Sequence, residues 1–195
     1  MTRIVAGSVG GRTLQVPPKG TRPTSERTRE AIFSRLAHYG VLDGARVLDL
    51  YAGSGALGLE AASRGAAHVT LVDSARRAVE VARGNVTALG LGGVVRVVGD
   101  DAGRYAAGLA AAPVEPLDLV FLDPPYDLSE EALAAVLADL ASPGVLAADA
   151  VVVVERSTRS PEPAWPAGLD LLARKDYGET AVYYAEPSAV AAETD

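Results

Sequence analysis

From Arg46 onward, short runs of β-branched and other apolar residues alternate with longer Ala- and Leu-rich stretches, and that alternation admits few folds. Strands are expected at residues 47–50, 69–72, 94–98, 117–122 and 151–154, with helices near 57–63, 75–89, 102–111 and 130–140. Runs such as Leu119-Val120-Phe121-Leu122 and Val151-Val152-Val153-Val154 are apolar on both faces, as strands are when helices cover both sides of a parallel sheet. Residues 169–173 and 181–185, separated by a charged turn over 174–180, fit an antiparallel pair at the end of that sheet. With 195 residues, 49% of them apolar, the chain can bury a core that needs no covalent or metal staple. It contains no cysteine, and His38 and His68 lie far apart, so neither thiolate chemistry nor a resident metal is expected. No apolar run approaches the ~20 residues that cross a bilayer. Met1-Thr2-Arg3-Ile4-Val5 is too polar to open a signal peptide, so a cytoplasmic chain without a membrane partner is expected.

The first forty residues follow a different pattern. Residues 3–6 and 13–16 are short strand candidates around the glycine-rich 7–11, which suggests a hairpin. The prolines of 17–23 impose an extended loop, after which Thr24 or Ser25 can cap a helix running from Glu26 to His38, with Gly40 placed to stop it. The chain carries a net charge of -7, yet residues 1–46 hold eight basic and three acidic side chains, a balance of +5 that leaves -12 for the rest. A basic arm on an acidic body is one way to track nucleic-acid phosphates. In the helix, Arg29 falls within the apolar stripe of Ile32, Phe33 and Leu36, whereas Arg27 and Glu30 fall outside it. An inward guanidinium needs a carboxylate or phosphate partner. Arg22 in the loop and Arg27 on the outer face are the expected contacts to such phosphates.

The strongest local motif is Val47-Leu48-Asp49-Leu50-Tyr51-Ala52-Gly53-Ser54-Gly55-Ala56-Leu57-Gly58, a strand that enters a glycine-rich turn and then a helix. Such a turn lets backbone approach a ligand at the helix N-terminus, with Gly53, Ser54 and Gly55 nearest to it. Asp73, at the end of the next strand, stands where a carboxylate holds the ribose hydroxyls of an adenosine cofactor. The pattern suits a dinucleotide or S-adenosylmethionine; Asp49 separates them, because a carboxylate at the strand tip repels a pyrophosphate and attracts an ammonium and a sulfonium.

The second motif, Asp123-Pro124-Pro125-Tyr126, follows the fourth strand of the series directly and should face the glycine turn across one crevice. Asp123 and the Pro124 carbonyl are acceptors for both hydrogens of an exocyclic amine, and Tyr126 can stack on the base that bears it.

The glycine motif resembles motif I of S-adenosylmethionine-dependent methyltransferases, and Asp123-Pro124-Pro125-Tyr126 resembles the motif of those acting on amino or amide nitrogens. Arg22-Pro23-Thr24 with Arg27, Arg29-Glu30 and Phe33 narrows the resemblance to the bacterial methyltransferases of guanine N2 in small-subunit (16S) ribosomal RNA, and Tyr177-Gly178-Glu179-Thr180 extends it almost to the chain's end. The arm departs from that family at Thr28-Arg29 and Ser34-Arg35. The resemblance implies an α/β, Rossmann-like class I methyltransferase fold: a mostly parallel seven-stranded sheet with an antiparallel C-terminal pair, preceded by a β-hairpin and helix. It implies an RNA-binding arm over residues 1–40, a methyltransferase domain over 41–186 and a flexible tail over 187–195. It also implies that an acidic residue ending the third strand of the series contacts adenine; Asp100 and Asp101 both qualify, and Asp101 fits the pattern better. The implied substrate is ribosomal RNA within a small-subunit particle. Two alternatives stand beside it: transfer to another amine, such as adenine N6 or a protein amide, and a nicotinamide-dependent oxidoreductase sharing the Gly-x-Gly-x-x-Gly turn.

Overall fold

The computed structural model describes residues 2–17, 25–112 and 115–189. Seven strands form one sheet in the order β5-β4-β3-β6-β7-β9-β8: β3 (Arg46–Leu50), β4 (His68–Asp73), β5 (Val95–Gly99), β6 (Leu117–Leu122), β7 (Leu146–Ser157), β8 (Leu169–Tyr177) and β9 (Thr180–Pro187). β3 to β7 pair in parallel, and β9 runs antiparallel to β7 and β8. The Rossmann-like arrangement is the expected one. A separate two-stranded ribbon, β1 (Thr2–Arg3) with β2 (Thr13–Leu14), precedes it.

Alternation along each strand divides the core. Val47, Phe121, Val153 and Tyr184 face one side of the sheet, where they meet α1 (Glu26–Tyr39), α2 (Ala56–Ser63) and α3 (Arg76–Leu89). Leu48, Val120, Val152 and Tyr183 face the other, under α4 (Ala102–Ala111) and α5 (Glu130–Leu140). The Phe33 and Phe121 rings, both fully buried, lie 5.6 Å apart and fasten α1 to β6. Each such side chain stabilises the fold by about 1.5–3 kcal/mol through removal from water.

Several boundaries differ from the sequence expectation. The ribbon at the N-terminus pairs over two residues a strand rather than four, because its loop turns instead onto α2: Ser8 N donates to Ser63 O at 2.7 Å, and a Cβ at Gly7 (φ +88°) would lie 1.9 Å from that oxygen. Residues 174–177 continue β8 and are not part of a turn. Arg174 binds Asp176 two residues along the same face, at 2.9 and 3.1 Å, which neutralises charges that an edge strand can expose to water. β7 begins and ends beyond residues 151–154, and β9 takes in Pro187, which had been expected in the tail. Ser25 caps α1, as expected, by accepting from Thr28 N at 3.1 Å. No helix among the described residues is long and apolar enough to cross a membrane.

Candidate active site

The strand order reverses between β3 and β6, and a crevice of 1160 Å³ opens at the carboxyl ends of these strands. Gly53 and Asp73 stand on one wall, Asp123, Pro124 and Tyr126 on another, and Ser25, Thr28 and the β8–β9 turn on a third. The two motifs therefore meet across one opening. Asp49, Ser54, Gly55 and Asp101 do not line it, and Arg22 lies outside the described residues.

Each glycine of the turn has its own task. Gly53 adopts φ +57°, and a Cβ there would meet nothing within 4 Å, so the left-handed backbone alone selects glycine. At Gly55 and Gly58 a Cβ would lie 2.7 and 2.3 Å from Leu71 side-chain carbons, so these two let α2 pack closely on β4. The three glycine amides of this turn are engaged by the protein itself. Gly53 N donates to Asp73 Oδ2 at 2.8 Å, Gly55 N to Ala52 O at 2.7 Å, and Gly58 N to Asp49 Oδ2 at 2.9 Å. Tyr51, a crevice residue singled out by no sequence pattern, takes φ +61°, an uncommon conformation for an aromatic residue. Burial pushes its phenol up to about 12.

Asp49 is 1% exposed, at the tip of β3 behind the crevice wall. Burial raises its pKa to about 8; the Gly58 amide works against the shift, and the nearby carboxylates of Asp123 and Asp73 add to it. Asp73 also accepts from Ala75 N at 2.8 Å, which fixes the turn into α3. Asp123 opens into the crevice, where the surrounding protein raises its pKa to about 6. The Pro125 carbonyl accepts from Leu128 N at 3.0 Å, and the Pro124 carbonyl accepts no hydrogen bond among the described residues. Tyr126 is 78% exposed, its ring uncovered at the crevice mouth.

Asp101 caps α4, its Oδ1 accepting from Arg104 N at 2.9 Å, while Asp100 accepts from Asp101 N at 2.8 Å and pairs with Arg104 at 3.3 Å. Arg156, buried at the end of β7 and bound to Glu130, also lines the crevice; nothing in its spacing announced it.

The arm is latched from below. Arg29 is fully buried, lies 3.6 Å from Glu60 of α2 and donates to the Arg3 carbonyl. Burial lowers its pKa and Glu60 opposes that shift. Glu60 accepts further from Val5 N, Ala6 N and Arg64, at 2.8, 3.0 and 2.8 Å. The charge count of residues 1–46 overstates what they offer a ligand: Arg3, Arg29 and Arg46 are paired with Glu26, Glu60 and Glu115, whereas Arg27 is exposed and makes no ion pair among the described residues.

A family model described as "Conserved hypothetical protein 95" matches residues 2–186. The ribosomal RNA small subunit methyltransferase D of Escherichia coli strain K12 is 38% identical over 182 residues, covering 92% of this chain and 86% of that protein. The chain belongs to this family. YlbH of Bacillus subtilis is 36% identical over 181 residues, 92% of this chain and 96% of its own length. Among solved structures of the family's fold, yhhF of Escherichia coli superposes with a TM-score of 0.81 at 36% identity, covering 97% of this chain and 99% of that one. The family's parallel sheet and antiparallel C-terminal pair are those described above.

Proposed function

We propose that this chain is a ribosomal RNA methyltransferase that transfers a methyl group from S-adenosylmethionine to the exocyclic N2 amine of a guanine in small-subunit RNA. The observation that carries the cofactor is the fate of the glycine-turn amides. A pyrophosphate site needs free N–H groups at the helix N-terminus, but here Asp73 and Asp49 occupy the Gly53 and Gly58 amides. At Gly53, the turn glycine that lines the crevice, a carboxylate therefore takes the donor that a dinucleotide would need. A buried acid with one donor and two acidic neighbours suits a cationic ligand, and S-adenosylmethionine has both an ammonium and a sulfonium.

Asp49 and Asp73 supply the negative field for that cation, Asp73 faces the ribose hydroxyls, and Gly53 forms the wall beside them, backed by Ser54 and Gly55. Asp101 holds the adenine amine with the oxygen not committed to the helix cap. When bound, the cofactor supplies an electrophilic methyl group. Asp123 and the Pro124 carbonyl accept the two amine hydrogens, drawing the nitrogen lone pair out of conjugation and toward the crevice, an electrostatic effect aimed at the transition state. Tyr126 stacks on the base once it leaves its helix. Asp123, with a pKa near 6, is largely ionised at neutral pH and can take the proton that the amine loses after transfer. Arg27 and Arg22 hold RNA phosphates, and the arm over 1–40 serves the domain over 41–186 as its RNA-binding part. The E. coli relative is named for the small ribosomal subunit, which supports that particle as the setting.

Titration with S-adenosylmethionine and NAD in parallel tests the cofactor: micromolar-range binding of the first and none of the second is expected. For the acceptor, Asp123→Ala should lower single-turnover transfer by more than a hundredfold with cofactor affinity within twofold of wild type. Mapping the methyl group in the RNA product must place it on guanine N2; adenine N6 would refute the assignment.

A further inference from the structure

A second groove of 640 Å³ adjoins the crevice, sharing Ser25, Thr28, Tyr177 and Gly178 with it and continuing to Arg27 and Ala31. It follows the seam between α1 and the edge hairpin β8–β9. Along α1, Arg27, Ala31 and Arg35 succeed one another at four-residue spacing and so share a face. Arg35 lies over the Tyr184 ring, 5.3 Å from its centroid, and donates to Tyr39 Oη at 3.0 Å. On β8, Ala173 and Tyr177 pack on the α1 side, so Lys175 between them stands on that side too, opposite Val182. Arg174 and Asp176 take the other face, paired to one another, with Arg174 over Tyr183.

The seam is thus a stripe of cations in an acidic protein, and the nearby acids are engaged elsewhere. On α1, Glu26 is turned to Arg3 and Glu30 to Arg64. At the turn, Glu179 pairs with Arg159. Arg27 and Lys175 are exposed and make no ion pair among the described residues. Two exposed cations flanking an aromatic ring suit single-stranded nucleic acid, where phosphates follow the charges and a base stacks on the ring. Gly178, φ +61°, leaves open space where a side chain would stand beside Tyr177.

We infer that the RNA strand flanking the target nucleotide leaves the crevice along this seam, with its phosphates on Arg27 and Lys175 and a base against Tyr177. This path rests on the assignment of RNA as substrate but not on which nitrogen is methylated. The β8–β9 hairpin is then a second RNA-binding wall opposite the arm.

The test uses the full chain with two probes: small ribosomal subunits from a strain lacking this enzyme, and protein-free RNA extracted from them. Lys175→Glu should weaken retention of the better-bound probe at least fivefold, and Tyr177→Ala at least threefold. Arg27→Ala and Lys175→Ala should each reduce the salt slope by roughly 0.7 to 0.9. Arg174→Ala, on the opposite face of the same strand, should bind within twofold of wild type, and none of these variants should change S-adenosylmethionine affinity. The path is overturned if Lys175→Glu retains both probes like wild type, if Arg174→Ala loses as much as Lys175→Glu, or if the wild-type chain retains neither probe. Methyl transfer to a nitrogen other than guanine N2, with retention still sensitive to Lys175, would overturn the reaction and leave the path standing.

Discussion

Two carboxylates buried around the same short helix have opposite surroundings. Glu60, on α2, is fully enclosed, with Arg29 at 3.6 Å, Arg64 at 2.8 Å and two backbone amides of the arm. Asp49, one strand away and 1% exposed, has the Gly58 amide and two acidic neighbours, and its pKa rises to about 8. Burial is the same, so partners make the difference. A carboxylate satisfied within the fold locks structure, whereas one left with acidic company adds a cost to folding that a cationic ligand can offset. The first fastens the arm, and the second fits the cofactor role proposed for it.

The contrast is most exposed to failure at Glu60. Glu60→Ala leaves the Arg29 guanidinium buried without its carboxylate and frees two arm amides, so a loss of about 3–5 kcal/mol is expected. Thermal or denaturant unfolding measures it; a loss below about 1 kcal/mol would mean the latch is incidental. Asp49→Asn should move stability the other way. A carboxyl whose folded pKa lies near 8, above its unfolded value, binds more protons in the native state, so stability falls as pH rises from about 4 to about 8. The asparagine lacks that decline and should melt higher than wild type at pH 8, by about 2–6 °C, while binding S-adenosylmethionine more weakly by about 1.5–3 kcal/mol. Lower melting together with unchanged cofactor affinity would reverse the roles assigned to the two acids. Asp73→Ala should weaken the cofactor by a similar 1.5–3 kcal/mol without raising stability, as titration and melting curves would show together. The smallest effect belongs to Arg64→Ala: Glu60 keeps Arg29 and both amides, so about 1–2 kcal/mol should be lost.

The parallel sheet was legible because apolar runs and Ala/Leu helices differ in period, and the crevice because two motifs end neighbouring strands. Arg29 could be picked out as an inward charge from helical phase alone. Its partner could not: Glu60 lies on α2, remote in sequence, and its one local sign was a lone acid in an otherwise apolar helix, four residues before Arg64. Asp49 could be read as a charge at a strand tip, but its acidic neighbours Asp73 and Asp123 come together only when β4 and β6 flank β3. Tyr51 and Arg156 reach the crevice through backbone conformation and strand register, which no short pattern encodes. The continuation of β8 through residues 174–177 was hidden by charge, since Arg174 and Asp176 neutralise each other only once the strand aligns them.

Proton linkage on cofactor binding tests the account most directly. Calorimetric titration of S-adenosylmethionine at neutral pH, in two buffers of different ionisation enthalpy, counts the protons exchanged. A cation beside Asp49 favours its ionised form, so binding should release a proton and tighten as pH rises from 6 toward 8, and Asp49→Asn should abolish the part of that release due to the carboxyl. Proton uptake, or the same proton count in wild type and Asp49→Asn, would contradict the claim that this buried acid is held for the cofactor's positive charge.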